Sequence, residues 1–258
     1  MMRVVVNTDF HEIVKTIRRA LVELGQPVDT GEWQARLGGP QAQTVELEDV
    51  SFYWPIPATA SALAEAVHPS VGWAEEHFAE RVSGIPYNPP PSHVRWPFAF
   101  ASNTAHQKNE QFSHTYPERL WPKFAARQDE RMMGIRYAYG DLSDVVSLLK
   151  SRPFTRQAFV PIWYPEDTGG VDGQRVPCTI GYHFMRRGDA LKCVYYIRSC
   201  DYFRHFRDDV YLAARLTQWI SDQVGGGLQP GNLVMHISSL HVFATDMRRI
   251  QHALSLET

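Results

Sequence analysis

Residues 175–209 of the 258-residue chain read RVPCTIGYHFMRRGDALKCVYYIRSCDYFRHFRDD. Two runs rich in aromatic and β-branched residues, 178–185 and 190–197, flank Arg187-Gly188-Asp189, a pattern typical of two antiparallel strands joined by a hairpin. The apolar residues of 210–224 then recur at helical spacing, up to a run of three glycines. A strand pair followed by an amphipathic helix is therefore the framework of the predicted fold.

The rest of the chain mixes helices and strands without a regular βαβ order, which favours an α+β fold with one large mixed sheet flanked by helices. Residues 85–96 are rich in proline and aromatic residues, and we expect an ordered loop there. No repeat or linker divides the chain, so we predict a single domain over 1–258. Further strands are predicted at 3–7, 45–54, 156–163 and 232–239, a turn at 167–170, and helices at 9–24, 59–67, 72–82, 141–152 and from His241 onward.

The composition is ordinary for a globular protein and leaves a small phosphorylated ligand possible. Hydrophobic residues make up 44% of the chain and charged residues 21%, and the net charge of −2 gives no bulk attraction to nucleic acid or to an anionic membrane. No apolar run approaches the ~20 residues that span a bilayer, and the N-terminus lacks a signal-peptide pattern. Three cysteines form no CxxC motif and no metal-ligand pattern, so we expect a reduced, cytoplasmic protein without a metal site.

Several residues in the framework have chemical potential, and each also has an ordinary structural interpretation. Cys178 could be a thiolate nucleophile activated by Arg198 and Arg156, although a cysteine in such a protein is more often a small buried apolar residue. Arg198-Ser199 could bind a phosphate, or the arginine could simply extend out of the sheet. Asp209, at the predicted start of a helix, could equally be a cap, and His241 could be structural.

Taken together, these motifs resemble one family. The order Pro-Cys, Arg-Ser-Cys-Asp, Asp-Asp-Val-Tyr-Leu-Ala and His-Val-Phe is similar to the thymidylate synthase pattern of Pro-Cys-His, Arg-Ser-x-Asp, Phe-Asn-Ile-Ala and His-x-Tyr. The similarity is specific over about 140–250 and weaker over 1–110. It implies a thymidylate synthase-like fold, a homodimer formed through the sheet, and methylenetetrahydrofolate as cosubstrate.

The resemblance also implies a role for each matched residue. Cys178 would add to C6 of a pyrimidine nucleotide, and Tyr116 would belong to the proton relay beside C5. The family's catalytic glutamate would be Glu76 or Glu80, ahead of Gly84. The implied substrate contacts are Arg198 and Ser199 to the 5′-phosphate, Arg156 to the same phosphate from the other subunit, Asp201 to the base through the chain around it, and His241 to the sugar; Trp96 would line the folate pocket.

One departure from the family pattern selects a branch. Asp209 occupies the position of an asparagine that pairs with uracil, and a protonated carboxyl, or a carboxylate facing N3-protonated cytosine, suits a cytosine nucleotide better. The resemblance then implies the cytidylate hydroxymethylase branch, with Ser199 favouring the deoxynucleotide. Other departures, which affect the sugar contact and the proton relay, are Thr179, Ile197, Gln157 and Phe243 in place of the family's histidine, glutamine, second phosphate arginine and tyrosine.

The predicted activity is therefore transfer of a one-carbon unit to C5 of dCMP, with water completing a 5-hydroxymethyl product. A CMP 5-hydroxymethylase and a dCMP methylase that uses hydride from the folate stay open. So does a binding protein without catalysis, although Cys178 would then have no purpose. Modification of polymeric DNA or RNA is disfavoured because the sequence has no basic stripe.

Overall fold

A computed structural model of the chain describes residues 3–30, 43–97, 107–108, 110–123, 140–168 and 175–256. Its strands are β1 (Arg3–Val6), β2 (Gln26–Asp29), β3 (Gln43–Pro55), β4 (Gln107–Lys108), β5 (Gln111–Phe112), β6 (Phe159–Pro161), β7 (Thr179–Arg187), β8 (Ala190–Asp201) and β9 (Gln229–Phe243). Its helices are α1 (Phe10–Leu24), α2 (Ala60–Val67), α3 (Val71–Val82), α4 (Tyr116–Leu120), α5 (Leu142–Ser151), α6 (Pro165–Thr168), α7 (Phe206–Val224) and α8 (Met247–Ser255). Two 3-10 turns cover Pro91–Arg95 and Ala244–Asp246.

Seven strands of the described part form one sheet in the order β1-β3-β9-β8-β7-β6, with β2 paired to the end of β3. The pairs β1–β3 and β8–β9 are parallel, and the others are antiparallel. The prediction of an α+β fold with a large mixed sheet flanked by helices is thus confirmed. The long central strands β8 and β9 carry both the Arg-Ser and the terminal histidine motifs.

The core lies between one face of the sheet and the helices. Along β8 every second side chain from Leu191 to Ile197 is buried, and α7 packs on β8 and β9 over this face. α1 packs on β3 beside it, where the ring of Phe10 lies 5.0 Å from Trp54 and 6.0 Å from Phe206. This core holds the start of α7 firmly against the ends of the central strands.

The opposite face of the sheet is half-open and aromatic. The rings of Tyr196 and His236 stack 5.3 Å apart, and Ser51 shares a 2.7 Å hydrogen bond with His236. Tyr53 and Phe159 remain 37% and 40% exposed. Such a face is more apolar than a solvated sheet surface needs to be.

Three predicted boundaries are wrong, for identifiable reasons. The strand predicted at 156–163 is only Phe159–Pro161, because Pro161 lacks an amide hydrogen and the next two amides both donate to the Ile180 carbonyl. The last helix begins at Met247 rather than at His241, since β9 lies between β3 and β8 and its backbone is paired on both sides up to that histidine. The turn predicted at 167–170 overlaps a helical turn formed by residues 165–168, and 169–170 lie outside the described residues.

The third wrong boundary concerns α7, which begins at Phe206, one turn before the predicted Val210. The carboxylate of Asp201 accepts from the amides of Phe203 and Arg204 and so forms the turn that leads into the helix. Asp209 consequently lies inside the first helical turns, where its own amide donates to the His205 carbonyl. The cap interpretation of Asp209 is therefore excluded, while the carboxyl still lies in the first turn, where the helix dipole favours an acidic residue.

Candidate active site

Cys178 lies immediately before β7, where the backbone is fixed from both sides. Its carbonyl accepts from the Arg198 amide at 2.9 Å, and the Arg198 side chain donates from Nε to the Pro177 carbonyl at 2.9 Å. Pro177 and Thr179 are buried, whereas Cys178 between them keeps some accessible surface. The thiol is thus held on rigid backbone and faces an accessible space, as a nucleophile requires.

The pKa of the Cys178 thiol depends on its burial and on neighbouring charged groups. Burial raises the pKa of Cys178 above its ordinary value, the Arg198 guanidinium opposes that rise, and the Asp209 carboxyl adds to it. The influence of Asp209 on the thiol indicates that α7 brings this carboxyl to the same space. Arg198 is a positive neighbour that the sequence predicted, and Arg175 also lowers the pKa of the thiol, whereas Arg156 is exposed before β6 and is not among the groups that act on the thiol.

A chain of hydroxyl groups begins beside the thiol. The Tyr116 hydroxyl lies 2.9 Å from Oγ1 of Thr179, which in turn lies 2.8 Å from the Tyr195 hydroxyl. Burial raises the pKa of Tyr116 and of Tyr195, so both phenols stay neutral at physiological pH. Neutral hydroxyls in series can each accept and donate one proton, which is the property that a relay needs.

Asp209 and Asp208 have different partners although they are adjacent. Asp208 accepts a 2.7 Å hydrogen bond from the Ser70 amide and so ties the start of α3 to α7. Asp209 receives only a weak 3.6 Å contact from the Cys200 thiol and keeps accessible surface. Burial raises the pKa of Asp209 to about 7, the Arg81 guanidinium opposes that rise, and Asp208 reinforces it. Asp209 is therefore a carboxyl that can be neutral or charged near physiological pH.

Asp201 and His241 are neighbours across the β8–β9 pair. The Asp201 carboxylate is occupied by backbone amides and by Arg204, which also donates to Asp246 at 2.6 Å. Asp201 therefore shapes the turn before α7, as expected for a residue that acts through the chain around it. Burial lowers the pKa of His241, so its ring is neutral and can donate or accept.

The two candidate glutamates on α3 have partners of their own. Glu76 forms an exposed 2.7 Å ion pair with Arg95. Glu80 accepts from the amide and from the hydroxyl of Ser92, each at 2.6 Å, and lies 3.3 Å from His77. Burial acts to raise the pKa of Glu80, but the hydrogen bonds from His77 and Ser92 outweigh it and leave the pKa below its ordinary value. Within the described contacts, neither glutamate touches Cys178, and the choice between them stays a prediction.

Trp96 follows the loop that Glu80 holds in place. Its ring stacks on His205, just before α7, with centroids 4.7 Å apart, and lies 6.1 Å from Trp73 of α3. The loop is ordered between α3 and α7, and its tryptophan offers a flat aromatic surface near the start of α7. That surface is compatible with a stacked heterocycle, as predicted for the folate.

Sequence reasoning missed one residue of the site. Arg81 belongs to the buried face of α3 together with Ala74, His77 and Phe78, and its guanidinium carbon lies 4.0 Å from the Tyr116 ring centroid. The signal was available, because the spacing 74-77-78-81 places a charged residue on the apolar side of a helix. No such conflict marks Glu76, which the same periodicity leaves toward solvent.

Two global features complete the description of the site. The described residues hold no group of three or more His, Cys, Asp or Glu side chains suited to a metal ion. No helix in the described ranges is both long and apolar enough to cross a membrane.

The comparisons with known proteins all match the same family. The family model described as Thymidylate synthase matches residues 96–258. A thymidylate synthase from Rhizorhabdus wittichii is 24% identical over 135 residues, which are 52% of this chain and 42% of that protein. Thymidylate synthases from Listeria monocytogenes serotype 4a and Listeria innocua are each 25% identical over 154 residues, which are 57% of this chain and 46% of either protein. The chain thus matches less than half the length of these relatives.

Proposed function

Since this chain belongs to the thymidylate synthase family, we propose that it transfers a one-carbon unit from methylenetetrahydrofolate to C5 of a pyrimidine nucleotide. More specifically, we propose that the substrate is a cytosine nucleotide, with dCMP favoured, and that the product is 5-hydroxymethyl-dCMP. A reduced, cytoplasmic location suits a reaction that depends on a free thiol.

The thiol supplies the activation that the base lacks. C5 of a pyrimidine becomes nucleophilic when the Cys178 thiolate adds to C6, because the ring then behaves as an enamine. C5 attacks the methylene carbon of the cosubstrate, and loss of the C5 proton and of tetrahydrofolate leaves an exocyclic methylene. Addition of water to that methylene gives the hydroxymethyl group. Support comes from the accessible Cys178 side chain on a fixed backbone.

The choice of cytosine rests on Asp209, and this is the observation that carries the proposal. A carboxyl whose pKa is raised to about 7 is substantially protonated at neutral pH. A protonated carboxyl donates to N3 of cytosine and accepts from its 4-amino group, whereas uracil presents the inverse pattern. Buried polar groups that are left unpaired by the wrong base disfavour its binding by several kcal/mol.

The remaining substrate contacts follow the same arrangement. Arg198 and Ser199 would bind the 5′-phosphate, and the planar fork of the guanidinium suits that anion. His241 would contact the sugar, and Asp201 would hold the base through the turn that it organises. Binding of a phosphate by Arg198 requires its side chain to leave or share the Pro177 carbonyl, which it now contacts at 2.9 Å.

The active form is proposed to be a homodimer that packs through the half-open sheet face. The stacked Tyr196–His236 pair and the exposed rings of Tyr53 and Phe159 give this face the apolar character of an interface. Arg156, exposed at the edge strand of the same sheet, would reach the phosphate of the partner's site. This arrangement would explain why Arg156 does not influence the thiol of its own chain.

Proton transfers at C5 would involve the hydroxyl chain and a glutamate. The Tyr116 hydroxyl is hydrogen-bonded to Thr179, the residue next to the nucleophile. Of the two candidates on α3, Glu80 is the more enclosed, since it is bonded to a buried serine. Trp96 would form one wall of the folate pocket beside His205.

Release of tritium from C5 of dCMP tests the proposal directly. A C6 adduct that proceeds through C5 must release that hydrogen to water, and this requires methylenetetrahydrofolate for full turnover. We expect release with dCMP, and the same assay with CMP compares the two sugars. Absence of release from every pyrimidine nucleotide would leave a nucleotide-binding protein without catalysis as the better account.

A further inference from the structure

Arg81 is a buried cation without a counter-ion among the described residues. Only 7% of the residue is exposed, and its Nε–H lies inside the protein without a hydrogen-bond acceptor. The guanidinium stacks on the ring of Tyr116, which satisfies its flat face but not its Nε–H. The carbonyl of Arg81 accepts from the Trp121 indole at 2.8 Å, which fixes the last turn of α3. The position of this side chain is therefore set by its surroundings.

Another buried arginine of the same protein, Arg119, is compensated by an ion pair, whereas Arg81 is not so compensated by any described residue. Arg119, 4% exposed, makes two hydrogen bonds to Asp167 at 2.8 and 2.9 Å and one to a backbone carbonyl. Burial of a guanidinium is costly unless charge and donors are compensated. Arg119 is compensated fully within the fold, and Arg81 is not. An uncompensated buried cation is a candidate for function rather than for stability.

The positive charge of Arg81 acts on the base-reading side of the site. It lowers the pKa of Asp209, Tyr116 and Tyr182, and also that of Asp208 and His77, whereas Cys178 is not among the groups it influences. Arg81 and Asp209 nevertheless do not form an ion pair. The carboxyl is therefore close enough to feel the cation and still available to a ligand.

We propose that Arg81 is the counter-cation of Asp209 during the reaction: when the Cys178 thiolate adds to C6 of the cytosine, Asp209 passes its proton to N3 and Arg81 stabilises the carboxylate that remains. This inference rests on the proposed function. The electron pair of the thiolate forms the S–C6 bond, the C5=C6 pair moves to C4–C5, and the N3=C4 pair takes up the proton from Asp209. No group leaves in this step, and no other reactant is needed.

Arg81 would thus act through Asp209, as a positioning residue with an electrostatic role. A fixed cation costs no reorganisation when charge appears on a neighbouring carboxyl, and this is the general basis of electrostatic stabilisation in active sites. Other charged or titratable groups also act on Asp209, and each of them contributes to the pH dependence of its charge. Asp208 lies on the same helix as Asp209, and Tyr116 lies on α4. The neighbours on β8 are Cys200, Asp201 and Tyr195. Tyr182 belongs to β7, and Cys178 directly precedes that strand.

Three variants test the role of Arg81. Arg81→Gln removes the charge, Arg81→Lys keeps it, and Arg215→Gln is the matched control, because Arg215 is partly buried on α7 but paired with Glu75 at 2.8 Å. With tritiated dCMP we expect Arg81→Gln to lower kcat about 100-fold with KM changed less than about tenfold. Arg81→Lys should retain kcat within about tenfold, and Arg215→Gln should match the wild type.

A second readout does not depend on activity. Titration of the Asp209 carboxyl by carbon-13 NMR, with the resonance assigned through Asp209→Asn, should show a higher pKa in Arg81→Gln than in the wild type, since a nearby cation favours the carboxylate. An unchanged Asp209 titration, or wild-type kcat in Arg81→Gln, overturns the inference. Should Arg81→Gln fail to fold, loss of kcat in a folded Arg81→Lys protein with unchanged Asp209 titration overturns it as well. A wild-type protein that releases no tritium refutes the proposed function, whereas the NMR result still decides whether Arg81 and Asp209 are coupled.

Discussion

The strand pair β7–β8 with the start of α7, and the helix α3 with the loop to Trp96, contribute to the same site but are defined very differently. In the first region the strands agree with the sequence motif, because strand register fixes which side chains are neighbours, although α7 begins one turn earlier than predicted. In the second region the helix is where the pattern predicts it, yet Arg81 rather than a glutamate faces Tyr116. The family match also begins only at residue 96.

The two regions differ because a shift of the sequence by one residue has different consequences in a strand and in a helix. A strand that slips by one residue turns its whole buried face to the solvent, so register is strongly specified. A helix rotates its face by only about 100° per residue, and several neighbouring positions remain compatible with the same packing. Motifs on strands therefore transfer to a structure more securely than motifs on a short amphipathic helix.

The largest effect should come from the strand region. We expect Cys178→Ala to reduce tritium release from dCMP at least ~10⁴-fold, since no other residue can form the C6 adduct. Cys193→Ala is the matched control, because Cys193 is a buried thiol on β8 that faces the core. It should cost ~1–2 kcal/mol of stability and leave the activity of the folded fraction within about tenfold. Comparable losses in both variants would remove the distinction between nucleophile and core.

Asp209→Asn should exchange the base preference. An amide accepts from N3–H of uracil and donates to O4, so we expect the ratio of kcat/KM for dCMP over dUMP to fall ~10²–10³-fold. Steady-state kinetics with both nucleotides measure the ratio. Asp208→Asn serves as the control, because Asp208 is bonded to Ser70. A preference that survives in Asp209→Asn would show that another group reads the base.

Arg156→Gln should raise KM for the nucleotide ~10–100-fold although Arg156 is exposed and outside the site of its own chain. Arg152→Gln, a nearby exposed arginine at the end of α5, should have no such effect. Mixing subunits of Arg156→Gln and Cys178→Ala should restore about a quarter of wild-type activity, since half of the dimers are mixed and each holds one complete site. Mixed subunits without recovered activity would exclude a site that is shared across the dimer.

The second region can be sharpened with a pair of glutamate variants. Glu80→Gln disturbs two 2.6 Å hydrogen bonds to Ser92, and we expect a loss of ~1–3 kcal/mol in the free energy of unfolding. Glu76→Gln removes only an exposed ion pair and should cost less than ~1 kcal/mol. Denaturant unfolding measures both. If Glu80 also serves in proton transfer, Glu80→Gln should lower kcat far more than the loss of folded protein can explain. A larger fall in kcat for Glu76→Gln would instead assign the proton transfer to Glu76.

The smallest effect is a pH dependence of stability. The pKa of Asp209 is raised to about 7 in the folded protein, so the folded state holds a proton that the unfolded state has already lost above pH ~4. Its contribution to stability therefore falls as pH rises toward about 7 and is constant above that value. Between pH 6 and 8 the wild type should lose ~1–2 kcal/mol relative to Asp209→Asn. Thermal unfolding at both pH values checks this, and parallel curves would contradict the raised pKa.

Much of the fold could be predicted from the sequence because local signals were strong. Alternating apolar residues located β7 and β8, and the helical pattern after Asp9 ended at Gly25, as observed for α1. The extent of β9 and β6 could not be predicted, since it depends on which neighbours pair with each backbone. β2, with Pro27 inside it, was missed for the same reason, because it exists only through its pairing with the end of β3.

The candidate site was predictable where residues are close in sequence or lie on paired strands. Cys178 and Arg198 were predicted on neighbouring strands and are joined across β7 and β8. The pairing of Asp201 with His241 across β8 and β9 was not predicted, because a helix was expected to begin at His241. The separation of Asp208 from Asp209 was not predictable, because it depends on where α7 begins and on the Ser70 amide from α3. The helical spacing already placed Arg81 on the apolar side of α3, but its contact with Tyr116 depends on how α3 packs.

Mass spectrometry of the products tests the central claim most directly. The protein is incubated with methylenetetrahydrofolate and, separately, with CMP, dCMP, UMP and dUMP. The account predicts a gain of CH2O on dCMP, with the Cys178→Ala protein giving no product. A gain of CH2 on dUMP alone, or an unchanged mass for all four nucleotides, would contradict it.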